Sequence, residues 1–152
     1  HSTALQSVQS LLLSGERLVV GEGLWGSAAP LAAGLLAARL DCPLLVIVAD
    51  GEQADEARDD LEAALGTAPD ILPALERLPG DLDHDDEIST ERTRACLRLL
   101  SGNGPCHLVA TIEAVMQPVP QREQLLHASR PLTVDQQLDR EEFLAWLTEA
   151  GY

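Results

Sequence analysis

The chain has 152 residues, enough for one ordinary domain and too few for two complete ones. It is 45% hydrophobic, 23% charged and only 3% aromatic, which excludes a disordered chain and leaves Leu, Val, Ile and Ala to build the core. Twenty-five acidic residues face ten basic ones, all Arg, for a formal charge of −15, so DNA binding through counterion release is not expected and a protein partner is.

Ser2 can cap a first helix, Thr3 to Leu13, which Gly15 ends, and Arg17-Leu18-Val19-Val20 then reads as a short strand. The glycine-rich turn Gly21 to Gly26 leads into an Ala/Leu helix from about Ser27 to Leu40, with Pro30 in its first turn, where a missing N–H costs nothing. Leu44 to Ala49 is apolar at every position, as a parallel strand covered on both faces would be. An acidic amphipathic helix from Glu52 to Leu65 stops at Gly66, and Asp70 to Leu75 reads as a third strand. After a long polar loop comes a helix from Ser89 or Thr90 to Leu100, then the apolar strand His107 to Thr111, whose Thr111 can cap a short helix.

Strands and helices alternate at βαβ spacing, which predicts an α/β fold with a doubly wound parallel sheet and helices on both faces. Past Pro118 and Pro120 the pattern becomes a strand near Arg130 to Val134 and a helix from Asp139 to Ala150, with Asp139 and Glu142 spaced as a capping box. The expected division is 1–128 for the first domain and 129–152 for the start of a second small one, cut short. Cys42, Cys96 and Cys106 are odd in number and lack C-x-x-C spacing, which suits free thiols in a reducing compartment. No apolar run approaches the ~18 residues of a membrane span, and a cytoplasmic protein is expected.

Chemistry in such sheets is sought at the carboxyl ends of the strands, so the turn after the first strand carries the main question. Gly21, Gly23 and Gly26 satisfy G-x-G-x-x-G, and Asp50 ends the next strand where a ribose-binding acid would stand, so an NAD-type dinucleotide site is one reading. A P-loop is a second, framed on Gly23, Gly26 and Ser27. In that frame Ala28 replaces the last glycine, Ala29 the phosphate-binding lysine and Pro30 the Mg²⁺-binding hydroxyl, and a chain with no Lys cannot supply the charge from elsewhere. The third and preferred reading is a relic, in which small residues survive for strand-to-helix packing and no nucleotide, metal or other cofactor is held.

Gly23 to Ser27 with the following helix, then Leu44 to Asp50, resemble the UvrB-homology module at the N-terminus of bacterial transcription-repair coupling factor (Mfd). Glu76 to Asp81, Asp86 to Arg92, Thr111 to Gln117 and Leu147 to Tyr152 fall in the same order as that family's blocks, so the resemblance spans nearly the whole chain from Gly21. Gly80 stands where the family often has an aromatic. The resemblance implies a RecA-like half-domain with a degenerate P-loop, followed by the first strand and helix of a domain that recruits UvrA. It also implies a larger protein whose ATP-driven DNA translocase lies outside this chain and acts on stalled RNA polymerase.

Two further clusters are candidates. Asp81, Asp83 and Asp85 match the first positions of a calcium loop, but Asp86 and Arg92 stand where Gly and Glu belong, so a solvated acidic loop is expected, and His84 within it is an ordinary surface histidine. Arg92, Arg94 and Arg98 lie on one helix, where ion pairs such as Glu91 with Arg94 compete with nucleic-acid contact. No pattern nominates a catalytic acid, base or nucleophile, and the chain is not expected to be an enzyme by itself.

Overall fold

A computed structural model describes residues 3–75, 86–102 and 106–149, and divides the chain into two units, His1–Pro118 and Val119–Tyr152. In the first unit β1 (Leu44–Val48), β2 (Asp70–Leu72) and β3 (His107–Thr111) form one parallel sheet in the order β1-β3-β2. Val46 and Ile71 both lie opposite Val109, so the pleat gathers Leu44, Val46, Val48, Ile71 and Val109 on one face. Helix α3 (Gly51–Leu65) covers that face with Ala54, Ala57 and Leu61, and Leu61 and Val109 are both 0% exposed. His107 and Thr111 flank Val109 on this same face, opposite Leu44 and Val48, and a slip of one residue in β3 would turn Leu108 and Ala110 onto the helix in place of Val109.

On the opposite face Leu72, Leu108 and Ala110 are buried, whereas Leu45 and Ile47 of β1 remain 51% and 48% exposed. The run Leu44 to Ala49 is therefore covered on one face only, not on both as its sequence predicts, and among the described strands β1 lies at the sheet's edge. Helix α4 (Asp86–Ser101) packs against β2, and its Arg98 reaches Asp70 on this second face at 2.7 Å. The α/β class and the parallel sheet thus agree with expectation, with three strands among the described residues.

Helix α1 (Thr3–Leu13) matches its predicted span, and α2 (Ala28–Leu40) begins one residue late and packs on α3. Asp50 caps α3 by accepting from the Gln53 N–H at 3.0 Å, and Gly66 closes it at φ +78°. Thr111 Oγ1 accepts from Ala114 N–H at 3.1 Å and starts α5 (Ile112–Met116), as the sequence predicts.

Two predicted strands do not form. Arg17 to Val20 lies outside the sheet, with Leu18 and Val20 80% and 73% exposed, since apolar β-formers make a strand only where a neighbour completes the ladder. Arg130 to Val134 is also not a strand. Pro131 has no N–H to donate, and Thr133 instead closes a turn in which its N–H and Oγ1 donate to Gln136 Oε1 at 3.1 and 3.3 Å. Strand β2 stops at Leu72 because Pro73 cannot continue the ladder, and α4 starts at Asp86, three residues early.

The second unit holds α6 (Arg122–His127), which the sequence does not announce, and α7 (Arg140–Glu149). Asp139 caps α7 by accepting from Glu141 and Glu142 N–H at 2.9 and 3.0 Å. The expected capping box is only half built, because the Glu142 carboxylate accepts from Arg130 at 2.9 Å instead. No residue of α7 is fully buried, although Phe143 and Trp146 stack with ring centres 5.8 Å apart.

Candidate functional site

The carboxyl ends of all three strands open on one cavity of about 620 Å³, which is where ligands of parallel α/β sheets are found. Asp50 follows β1, Pro73 follows β2, and Thr111 and Glu113 stand at the end of β3, while α3 contributes Asp55 and Arg58 and α4 contributes Glu91 and Arg94. Three of its polar groups are already engaged, Asp70 by Arg98 at 2.7 Å. The Asp50 carboxylate accepts from Gln53 through both oxygens, N–H to Oδ1 and Nε2 to Oδ2, each at 3.0 Å, and the Thr111 hydroxyl is the cap of α5. Among the described residues Arg58 and Arg94 form no ion pair. Among the described residues its lining contains no Cys, His or Ser.

The glycine turn is elsewhere and is built differently. Gly23, Gly26, Ser27, Ala28, Ala29 and Pro30 do not line this cavity, and no strand precedes them to aim the turn at the sheet's carboxyl edge. Gly23 and Gly26 have φ of +74° and +53°, and a Cβ at either would meet nothing within 4 Å, so they serve the backbone path alone. The close packing expected of these glycines occurs instead at Gly34 in α2, where a Cβ would lie 2.8 Å from that of Ala64. Ser27 has helical φ and ψ and makes no side-chain cap, and Trp25 is 85% exposed.

Neither a family model, nor a curated protein, nor a solved structure matches the chain.

The three arginines of α4 separate into three roles. Arg92 is 5% exposed and its guanidinium is spent on backbone carbonyls. Arg98 bonds Asp70 at 2.7 Å on the surface, and only Arg94 faces the cavity. The burial of Arg92 was readable in outline: it stands three and four residues before Ala95 and Cys96, both buried, on the inward stripe of the helix. Glu91 and Arg94 line the same cavity without the ion pair their spacing allows.

Asp81, Asp83, His84 and Asp85 lie outside the described residues, as does Gly80. Among the described residues no cluster of three or more His, Cys, Asp or Glu side chains is arranged to hold a metal ion. All three cysteines are free. Burial pushes the Cys106 thiol up from its usual range, Asp70 adds to the effect and Arg98 opposes it, so Cys106 keeps its proton at neutral pH. No described helix is long and apolar enough to cross a membrane.

Proposed function

We propose that this chain is a non-catalytic, UvrB-like domain of a transcription-coupled nucleotide excision repair factor, acting as an interaction and regulatory scaffold. The observation that carries the reading is the glycine turn before α2. It opens α2 with Ala28-Ala29-Pro30 where a working P-loop places Gly, Lys and a hydroxyl, and it stands clear of the strands. The order of the family-like blocks along the chain supports the same assignment, including the finer expectation of a RecA-like half-domain. On this reading the partners are UvrA, RNA polymerase and the remainder of a larger ATP-driven DNA translocase, with DNA contact made through other domains.

The dinucleotide reading has less to stand on. Its fingerprint requires a strand before the glycines and a free acid after the next strand, and here Arg17 to Val20 is not in the sheet and both oxygens of Asp50 are bound by Gln53. Thermal-shift measurements with millimolar Mg-ATP and, separately, NAD distinguish the readings, because a ligand that binds only the folded state raises its apparent stability. No shift with either is expected. A clear shift with Mg-ATP removes the scaffold proposal, and one with NAD alone restores the dinucleotide reading. Capture of purified UvrA by a protein extended through a complete second domain, and not by the first unit, tests the partner assignment. Capture by the first unit alone moves the recruiting surface there.

A further inference from the structure

The most thoroughly buried charge in the described structure lies outside the cavity. Arg92 Nη1 donates to the Pro73 carbonyl at 2.7 Å and Nη2 to that of Pro118 at 3.2 Å, while both nitrogens reach Ala114 O at 3.4 Å. Its partners among the described residues are all main-chain carbonyls, so backbone dipoles hold a cation that has lost its water. Desolvation pulls the guanidinium below the ordinary arginine value and Cys96 pushes it back, yet an arginine so placed stays charged at any physiological pH.

Those carbonyls come from three places: the exit of β2, helix α5, and the last residue of the first unit. Gln117 adds a second tie. Its Oε1 accepts from Leu75 N–H at 2.7 Å and its Nε2 donates to Leu75 O at 3.0 Å, so the side-chain amide takes both hydrogen bonds that a neighbouring strand would offer. Two side chains thus bind Pro73–Leu75 to Ala114–Pro118 across 42 residues of sequence. Immediately afterwards Val119, Pro120 and Gln121 are exposed and belong to no helix or strand, and neither Pro118 nor Pro120 can donate to a ladder.

We propose that Arg92 and Gln117 form a latch that fixes where the chain leaves the first unit and confines the joint between the units to Val119–Gln121. The planar fork of Arg is needed, since three carbonyls in different directions exceed what one ammonium on a flexible stem can span. Opening the latch frees the segment from Ala114 onward and lengthens the joint, while the α3–β3 core keeps its packing.

Hydrogen exchange on the whole chain tests this with Arg92→Lys, Arg92→Met and Gln117→Ala. Both Arg92 variants are expected to speed exchange at Leu75 and Gln117 by about tenfold or more, with α3 and β3 amides unchanged, as for a local opening. The same rate at those amides in Arg92→Met and the unaltered chain overturns the proposal. So does a rise spread evenly through α3 and β3, which makes Arg92 a general core residue. If Arg92→Met fails to fold, Gln117→Ala decides: faster exchange confined to Leu75 and the connector supports the latch, and unchanged exchange there overturns it.

Discussion

At Gly23 and Gly26 the space beside the backbone is empty and only a positive φ demands glycine, whereas at Gly34 the helix is regular and only the lack of space demands it. The first pair has the spacing of a ligand fingerprint, and the third residue belongs to no motif. Yet the crowded position is the one that ties α2 to Leu61 and Ala64 of α3, and through Leu61 to the core of the sheet. A glycine pattern in sequence therefore records where the backbone must bend, and the surrounding structure decides whether the bend serves a ligand, a helix contact or nothing beyond the turn.

This contrast is testable by stability, and the largest effect belongs to the residue on which α2 and β3 converge. Leu61→Ala should lose roughly 3–5 kcal/mol, the range for a fully enclosed leucine, in a denaturant titration with an unchanged slope. A loss below 1 kcal/mol, on the order of a surface change, would mean that the contact with α2 and β3 does not hold the unit together. Gly34→Ala comes next, at about 1–3 kcal/mol of overpacking, reduced by the roughly 1 kcal/mol that alanine gains over glycine inside a helix. If it stabilises the protein, α2 has room to shift and Gly34 resembles the turn glycines after all. The smallest effects should come from the turn: about 1 kcal/mol for Gly23→Ala through its left-handed φ, and within about 0.5 kcal/mol for the exposed Trp25→Ala. A larger loss at Trp25 would reveal a cover over the turn and erase the distinction between the two regions.

Local signals read well from the chain. The spans of α1, α2 and α3, the strand at His107, and the caps at Thr111 and Asp139 all rest on contacts within a few residues, which sequence periodicity and cap chemistry report directly. The candidate site was legible only in part. Asp50 and Arg94 attracted notice for reasons of position, but the cavity joining them to Arg58 and Glu113 requires the ends of three strands to meet. In sequence Arg92 reads like its surface neighbours because charge suggests solvent, and the three carbonyls that satisfy it come from Pro73, Ala114 and Pro118, between 19 and 26 residues away.

What the sequence by itself determined is the helical and capping pattern, the α/β class, and the absence of lysine from the phosphate turn, all properties of residue types and short spacings. Only the tertiary structure decided that Leu44–Val48 is an edge strand, that Arg17–Val20 and Arg130–Val134 stay out of the sheet, and that Arg92 faces inward. The physical reason is shared by all of them. A strand is completed by hydrogen bonds to a neighbour, and a buried cation is tolerated only where distant carbonyls converge on it, so both depend on chain segments that no local pattern names.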